Sequence, residues 1–132
     1  MREFKQYQLD DVCRFLIERR NTLILYHVRP DADAIGASFA LKLVLEAMGT
    51  KVVCACESEI PSRLAFLTDK HQRSARFDSI DQSFEFERVI TVDTASPSQL
   101  GNLQKLFENR IDLMIDHHEN GTKYADYYVR SD

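Results

Sequence analysis

Four short runs of apolar and β-branched residues, separated by longer segments, constrain the fold of this chain most strongly. They are TLILYHV at 22–28, KVVCACE at 51–57, ERVITVD at 87–93 and IDLMID at 111–116. Runs of this length and composition predict buried strands. Because helical patterns lie between them, the sequence predicts βαβ units. We therefore expect a doubly wound α/β domain, with a mostly parallel sheet and helices on both faces.

Three segments carry apolar residues at helical spacing. They cover 4–20, 34–49 and 95–110. Gly49 is well placed to end the second helix, and Ser96-Pro97 resembles the start of the third. The polar stretch 68–86 predicts a long connection, and YYVR at 127–130 predicts a last short strand.

Length and composition exclude several classes of protein. The chain has 132 residues, is 44% hydrophobic and contains only 4 Gly and 3 Pro, which fits one folded domain rather than a disordered chain. No apolar run approaches the roughly 18 residues that a membrane span needs. The net charge of −4 argues against binding to duplex DNA. Cys54 and Cys56 are interpreted as small buried hydrophobes in a reducing compartment, so a cytoplasmic location is expected.

Three of the four predicted strands lead directly into residue types that bind metals. These residues are His27, Asp31 and Asp33 after the first strand, Asp93 after the third, and Asp116, His117 and His118 after the fourth. Because ligands bind at the carboxyl ends of parallel strands, we expect these side chains to meet at one edge of the sheet. Carboxylates with some imidazole suit Mn²⁺, Mg²⁺ or Fe²⁺ better than structural zinc. A pair of such ions would relieve the repulsion among the carboxylates and clamp the oxygens of a phosphate ester.

Each of these residues also has an ordinary structural interpretation. Asp31 or Asp33 could cap the helix that begins nearby. Asp93 could start a turn. Arg29 could be solvated, or it could reach an anionic substrate. A single residue decides little, and the joint arrangement at the strand ends favours a metal site.

Three ordered motifs carry a resemblance to a known family. The segments HVRPDADAIGAS at 27–38, VITVDTAS at 89–96 and LMIDHHENG at 113–121 resemble the DHH phosphoesterase superfamily. The resemblance is strongest to its nanoRNase and pAp-phosphatase-like branch, which is related to RecJ-type exonucleases. It implies an enzyme that hydrolyses phosphate esters of nucleotides or short oligoribonucleotides. The implied cofactor is Mn²⁺ or Mg²⁺, with two ions in the complete enzyme.

The resemblance implies a ligand set for both ions. It assigns the metal to His27, Asp31, Asp33, Asp93 and His117. His27 and Asp31 would bind one ion. Asp33 and His117 would bind the other, and Asp93 would bridge the two.

The resemblance also implies which residues act on the substrate. Asp116 would hold a neighbouring group through hydrogen bonds. His118 would contact the substrate phosphate and stabilise the charge that develops on it. Arg29 is the second residue expected to bind substrate.

Two parts of the family pattern have no counterpart in these 132 residues: a fourth motif with a metal-binding aspartate, and a C-terminal DHHA1 domain. Residues 1–132 are therefore expected to form the N-terminal part of a DHH catalytic domain. Such a piece should bind one ion well, bind the second weakly and have low activity alone. The expected partners are a small nucleotide or short single-stranded RNA and the missing domain, without a membrane, and a homodimer is left open. The alternatives are a regulatory module that binds nucleotide or metal without catalysis, and a purely structural domain.

Overall fold

A parallel sheet dominates the computed structural model, which describes residues 4–68, 76–79, 84–118 and 122–130. Its strands are β1 Lys5–Gln6, β2 Thr22–Leu25, β3 Val52–Ala55, β4 Arg88–Val92, β5 Leu113–Asp116 and β6 Tyr127–Arg130. The six lie in the order β1-β6-β5-β4-β2-β3. Every described strand pair is parallel. The predicted doubly wound α/β fold is confirmed.

Helices cover both faces of the sheet. The α-helices are α1 Leu9–Ile17, α2 Ala32–Ala47 and α3 Leu103–Leu106, and 3-10 helices span Ser62–Leu67, Phe77–Ser79 and Pro97–Leu100. Val12 of α1 and Phe39 of α2 pack on one face with Ile24 and Ile90. Leu103 of α3 packs on the other face, with the strand residues whose side chains point away from α1 and α2. Since both faces are covered, β2 and β4 are buried along their whole length, as their apolar sequences predict.

The order of the strands creates a switch point next to β2. The chain passes from β2 to the edge strand β3 and then returns to form β4 on the other side of β2. The segments that leave β2 and β4 therefore diverge at the carboxyl end of the sheet. In folds of this kind, such a divergence opens the crevice where ligands bind.

The predicted helix over 4–20 is wrong at its start. Lys5–Gln6 forms β1, which pairs with β6, and the helix begins only at Leu9. Tyr7 explains the difference, because its ring stacks on Tyr127 at 4.3 Å and its N–H donates to the Tyr128 carbonyl oxygen at 2.7 Å. These contacts with a distant segment outweigh the local helical pattern.

The predicted helix over 95–110 is also divided. A 3-10 helix ends at Leu100 and α3 begins at Leu103. Gly101 separates them with a φ of 65°, which interrupts a regular helix. A Cβ there would lie 2.8 Å from Glu57 Oε2, so any larger residue would require the Glu57 side chain to shift.

Several smaller predictions are confirmed. Gly49 follows α2 with a φ of 90°, and Tyr127–Arg130 is a strand. Cys54 and Cys56 are buried and unbridged. Parts of the predicted connection 68–86 and of the motif 113–121 lie outside the described residues. In the described part of the chain, no helix has the length and apolar character needed to cross a bilayer.

Candidate metal centre

The three predicted strand-end segments meet at one place. Asp93, which directly follows β4, lies at the centre of this group of side chains. Only 6% of the surface of Asp93 is exposed. Its Oδ1 lies 2.8 Å from His117 Nε2, after β5. Its Oδ2 lies 3.7 Å from His27 Nε2, after β2. One carboxylate thus faces a histidine from each neighbouring strand.

The backbone of Asp93 adopts an unusual conformation. Its φ is 54°, in the left-handed region, where aspartate is among the more tolerant residues. Its N–H donates to the Ile115 carbonyl oxygen of β5 at 2.9 Å. Backbone conformations of this type cost roughly 1–3 kcal/mol and persist only where the surroundings hold them.

His27 presents one nitrogen to the cluster. Its Nδ1 lies 2.9 Å from the Val28 carbonyl oxygen, which can only accept a hydrogen bond. The proton of the neutral ring is therefore on Nδ1. This leaves the lone pair on Nε2, which lies 3.8 Å from Asp31 Oδ1, and a metal ligand needs such a lone pair.

Asp31 caps the N-terminus of α2 and also contributes a carboxylate to the cluster. Its Oδ1 accepts a hydrogen bond from the Ala34 N–H at 2.9 Å, as an N-cap does. Asp33, in the first turn, instead places Oδ2 3.2 Å from His117 Nε2. Both side chains are 64% exposed. The capping interpretation therefore holds for Asp31, and capping does not remove it from the cluster.

Asp116 and His118 form a pair at the end of β5. His118 Nδ1 lies 2.5 Å from Asp116 Oδ1, and the Asp116 side chain is 4% exposed. The carboxylate orients the imidazole and favours a proton on Nδ1. His118 Nδ1 also lies 3.9 Å from Asp93 Oδ1, so the pair adjoins the central carboxylate.

The cluster carries an excess of negative charge. Burial raises the pKa of Asp93, the Asp33 and Asp31 carboxylates raise it further, and the hydrogen bond from His117 opposes them. The same hydrogen bond to Asp93 is the main cause of the raised pKa of His117. Both shifts mean that the cluster holds a proton more tightly than isolated groups would. A divalent cation would neutralise the same excess of negative charge.

The donor atoms fit divalent metal ions. Two sets of side chains bring their ligand atoms within 4.8 Å of one another: His27, Asp31 and Asp93, and Asp93, Asp116, His117 and His118. Asp93 belongs to both sets. Carboxylate oxygens with imidazole nitrogens match the preference of Mn²⁺ and, with fewer nitrogens, of Mg²⁺.

Arg29 lies between His27 and Asp31 in the loop that follows β2. It is exposed, its φ is 52°, and its N–H donates to Ser58 Oγ at 3.0 Å. Among the described residues no carboxylate lies within ion-pair distance of its guanidinium. Glu57, at the end of the second predicted strand, accepts hydrogen bonds from the backbone and side-chain nitrogens of Asn102.

Sequence reasoning missed the residues that hold the turn after β4. Gln99 Oε1 accepts the Ala95 N–H at 2.6 Å, and the Gln99 carbonyl oxygen accepts the Val28 N–H at 2.7 Å. Tyr124 donates to the Thr94 carbonyl oxygen. No spacing of apolar or polar residues in the sequence indicates a role for Tyr124. The Ser96–Gln99 spacing typical of a capping box was the one available indication for Gln99.

Comparisons with known proteins agree with the sequence motifs. The profile described as "DHH family, N-terminal domain" matches residues 21–131. The probable bifunctional oligoribonuclease and PAP phosphatase NrnA of Streptococcus mutans is 28% identical over 116 residues, covering 83% of this chain and 34% of the relative. The bifunctional oligoribonuclease and PAP phosphatase NrnA of Bacillus subtilis is 34% identical over 109 residues, covering 80% of this chain and 32% of the relative.

A solved structure shares the fold. The exopolyphosphatase-related protein of Bacteroides fragilis matches with a TM-score of 0.78 and 22% identity, over 91% of this chain and 37% of that one. The chain thus spans about a third of the length of the curated relatives it matches.

Proposed function

The chain belongs to the DHH family, as its motifs indicated, and from this membership we propose that it is the catalytic part of a metal-dependent phosphoesterase. The proposed substrates are phosphate esters of nucleotides and short oligoribonucleotides. The names of the relatives from Streptococcus mutans and Bacillus subtilis support this substrate class. The observation that carries the proposal is the position of Asp93, whose two oxygens face His117 and His27.

The proposed ligands form one pair of residues for each ion, and Asp93 lies between the two pairs. His27 and Asp31 would hold one ion, and Asp33 and His117 would hold the other. The distance of 3.2 Å between Asp33 Oδ2 and His117 Nε2 supports the second pair. Bound Mn²⁺ or Mg²⁺ would supply positive charge to the phosphate oxygens and make water a better nucleophile.

Asp116 and His118 are proposed to act on the substrate. The Asp116 carboxylate holds the His118 ring through Nδ1, so proton exchange by this ring takes place at Nε2. A positioned imidazole can stabilise a phosphate or protonate a leaving oxygen. Arg29 is proposed to bind an anionic group of the substrate, because it is exposed and lies in the chain between His27 and Asp31.

The chain is proposed to work as the N-terminal part of a longer enzyme. The lengths of its curated relatives support this view. A further acidic ligand and a second domain would complete the site. The 132-residue chain alone should then bind one ion well, bind the second weakly and turn over slowly. We propose a cytoplasmic location, where the thiols of its three cysteines, none of which forms a disulfide, would stay reduced.

The proposal is tested by hydrolysis of 3′-phosphoadenosine 5′-phosphate and of a diribonucleotide with Mn²⁺ present. The assay uses the purified chain and the longest product of its gene. Asp93→Asn should abolish activity in both proteins. Asp112→Asn is the matched control, because burial also raises the pKa of Asp112 but this residue precedes β5 at the opposite end of the sheet. Its activity should stay near that of the parent.

Two outcomes would contradict the proposal. Hydrolysis that survives Asp93→Asn would place the chemistry elsewhere. Mn²⁺ or nucleotide binding without turnover in the longer product would instead identify a regulatory module.

A further inference from the structure

The segment that follows β5 holds the turn that carries Asp93. Tyr124 lies beneath this turn with 8% of its surface exposed, and its hydroxyl donates to the Thr94 carbonyl oxygen at 2.6 Å. Two residues earlier, the Thr122 N–H donates to the Ala95 carbonyl oxygen at 2.7 Å. Both residues that follow Asp93 are therefore tied to one segment.

The direction of the hydrogen bonds at Tyr124 follows from counting protons. The phenol has one proton, which it donates to the Thr94 carbonyl oxygen. The Thr91 hydroxyl lies 2.8 Å from the phenol oxygen of Tyr124, so it must donate to that oxygen. Burial raises the pKa of Tyr124 well above that of an ordinary phenol. The side chain therefore remains a donor wherever the protein is folded.

The held turn determines where the Asp93 carboxylate points. With a φ of 54°, Asp93 occupies a backbone region that most residues leave when nothing constrains them. The hydrogen bond from its own N–H to Ile115 fixes one side of the residue. The bond from Tyr124 to Thr94 fixes the other side, so a change there would let the carboxylate turn away from the two histidines.

We propose that Tyr124 is a positioning residue whose hydroxyl holds the turn after β4, so that the Asp93 carboxylate faces both His27 and His117. The role extends the proposed function, since it concerns the residue on which the metal site depends. It differs from a packing role, in which only the ring of Tyr124 would matter. Tyr124→Phe separates the two roles because it keeps the ring and removes the hydroxyl.

The test uses two measurements on the 132-residue chain. The first is the affinity for Mn²⁺, followed by electron paramagnetic resonance. The second is hydrogen exchange of the amides at 93–95 without metal. Tyr128→Phe is one control, because it removes a phenol hydroxyl from the same apolar cluster. Thr91→Val is the other, because it removes a buried hydrogen bond of Tyr124 and leaves the bond to Thr94.

Tyr124→Phe should weaken Mn²⁺ binding about ten- to a hundredfold, the usual effect of losing a residue that orients a ligand. It should also speed exchange at 93–95, and both controls should stay close to the parent protein. Unchanged affinity and unchanged exchange in Tyr124→Phe would overturn the inference. If the parent binds no Mn²⁺, the proposed function fails, and the exchange measurement alone still decides the role of Tyr124.

Discussion

Asp93 Oδ1 lies 2.8 Å from His117 Nε2, which joins the carboxyl ends of β4 and β5 in one hydrogen bond. The second oxygen of the same carboxylate faces His27 after β2. A single side chain therefore connects three strands at the switch point of the sheet. Its replacement should affect the site differently from the replacement of either histidine.

Mn²⁺ binding should divide into two phases with different ligands. His27→Asn should weaken the tighter phase. His117→Asn should weaken the looser phase, because the family's fourth-motif aspartate, which would bind the same ion as Asp33 and His117, has no counterpart in residues 1–132. Each loss should be at least about tenfold. Asp93→Asn should weaken both, because its oxygens serve both sets. Titrations followed by electron paramagnetic resonance measure the two phases. Equal loss of both phases in all three variants would contradict the shared role of Asp93.

The stability of the metal-free chain should fall as pH rises above about 4, the ordinary pKa of an aspartate. Burial raises the pKa of folded Asp93 above that value, so the folded state binds more protons than the unfolded state through this window. The raised pKa of His117 adds a loss of the same sign from about pH 6.5 upward.

Urea unfolding with a chelator present measures this dependence. Asp93→Asn should flatten the curve over both windows, since it removes the buried charge and the partner of His117. Asp112→Asn, at the amino end of β5, should remove only the part of the pH dependence of stability that Asp112 itself contributes. Added Mn²⁺ should stabilise the parent and not Asp93→Asn. A parent curve that Asp93→Asn leaves unchanged would refute the assignment.

His118→Ala should separate turnover from metal binding. Loss of an imidazole that acts on the substrate lowers turnover by roughly 10²–10⁴, whereas Mn²⁺ affinity should change little. Asp116→Asn should lower turnover less, because it disturbs the orientation of the ring and leaves the ring in place. Kinetics and metal titration on the longer gene product measure both quantities. Mn²⁺ affinity that falls together with turnover would identify His118 as a metal ligand.

Arg88 should contribute to stability, although it lies at the start of β4, at the opposite end of that strand from Asp93. It is 2% exposed, its Nε donates to Thr22 Oγ1 at 2.9 Å and its Nη1 donates to the Phe15 carbonyl oxygen at 2.7 Å. Two hydrogen bonds from a charged donor, at about 1.5 kcal/mol each, predict a loss of up to about 3 kcal/mol in Arg88→Ala, because the buried Nη2, which has no partner among the described residues, and the desolvated charge offset part of their gain. Chemical denaturation measures the change in the free energy of unfolding. Arg14 is exposed, so Arg14→Ala is the control and should lower this free energy only slightly.

The sequence predicted the parts of the site that depend on strand ends. His27, Asp93 and His117 each follow a strongly apolar run, and the geometry of a parallel sheet brings such positions together. The same reasoning could not find Tyr124. Its role depends on a hydrogen bond to a backbone carbonyl, and no side-chain pattern records such a bond.

Local patterns failed where distant contacts decided the structure. The apolar spacing at 4–7 is compatible with a helix, but pairing with β6 makes this segment a strand. The spacing of Leu100, Leu103 and Phe107 is helical, but Gly101 lies against Glu57 and interrupts the helix. In both places tertiary packing outweighs a propensity of a few tenths of a kcal/mol per residue, in order of magnitude.

The pairing of β1 with β6 has a consequence for folding during synthesis. β1 is the first of the described strands to leave the ribosome, and its partner among them is β6, the last of them to be made. The strands that carry Asp93 and the histidines can associate earlier, since β2, β4 and β5 are all present before β6. This edge of the described sheet thus closes last, and a nascent chain would bring its metal ligands together before β1 pairs with β6.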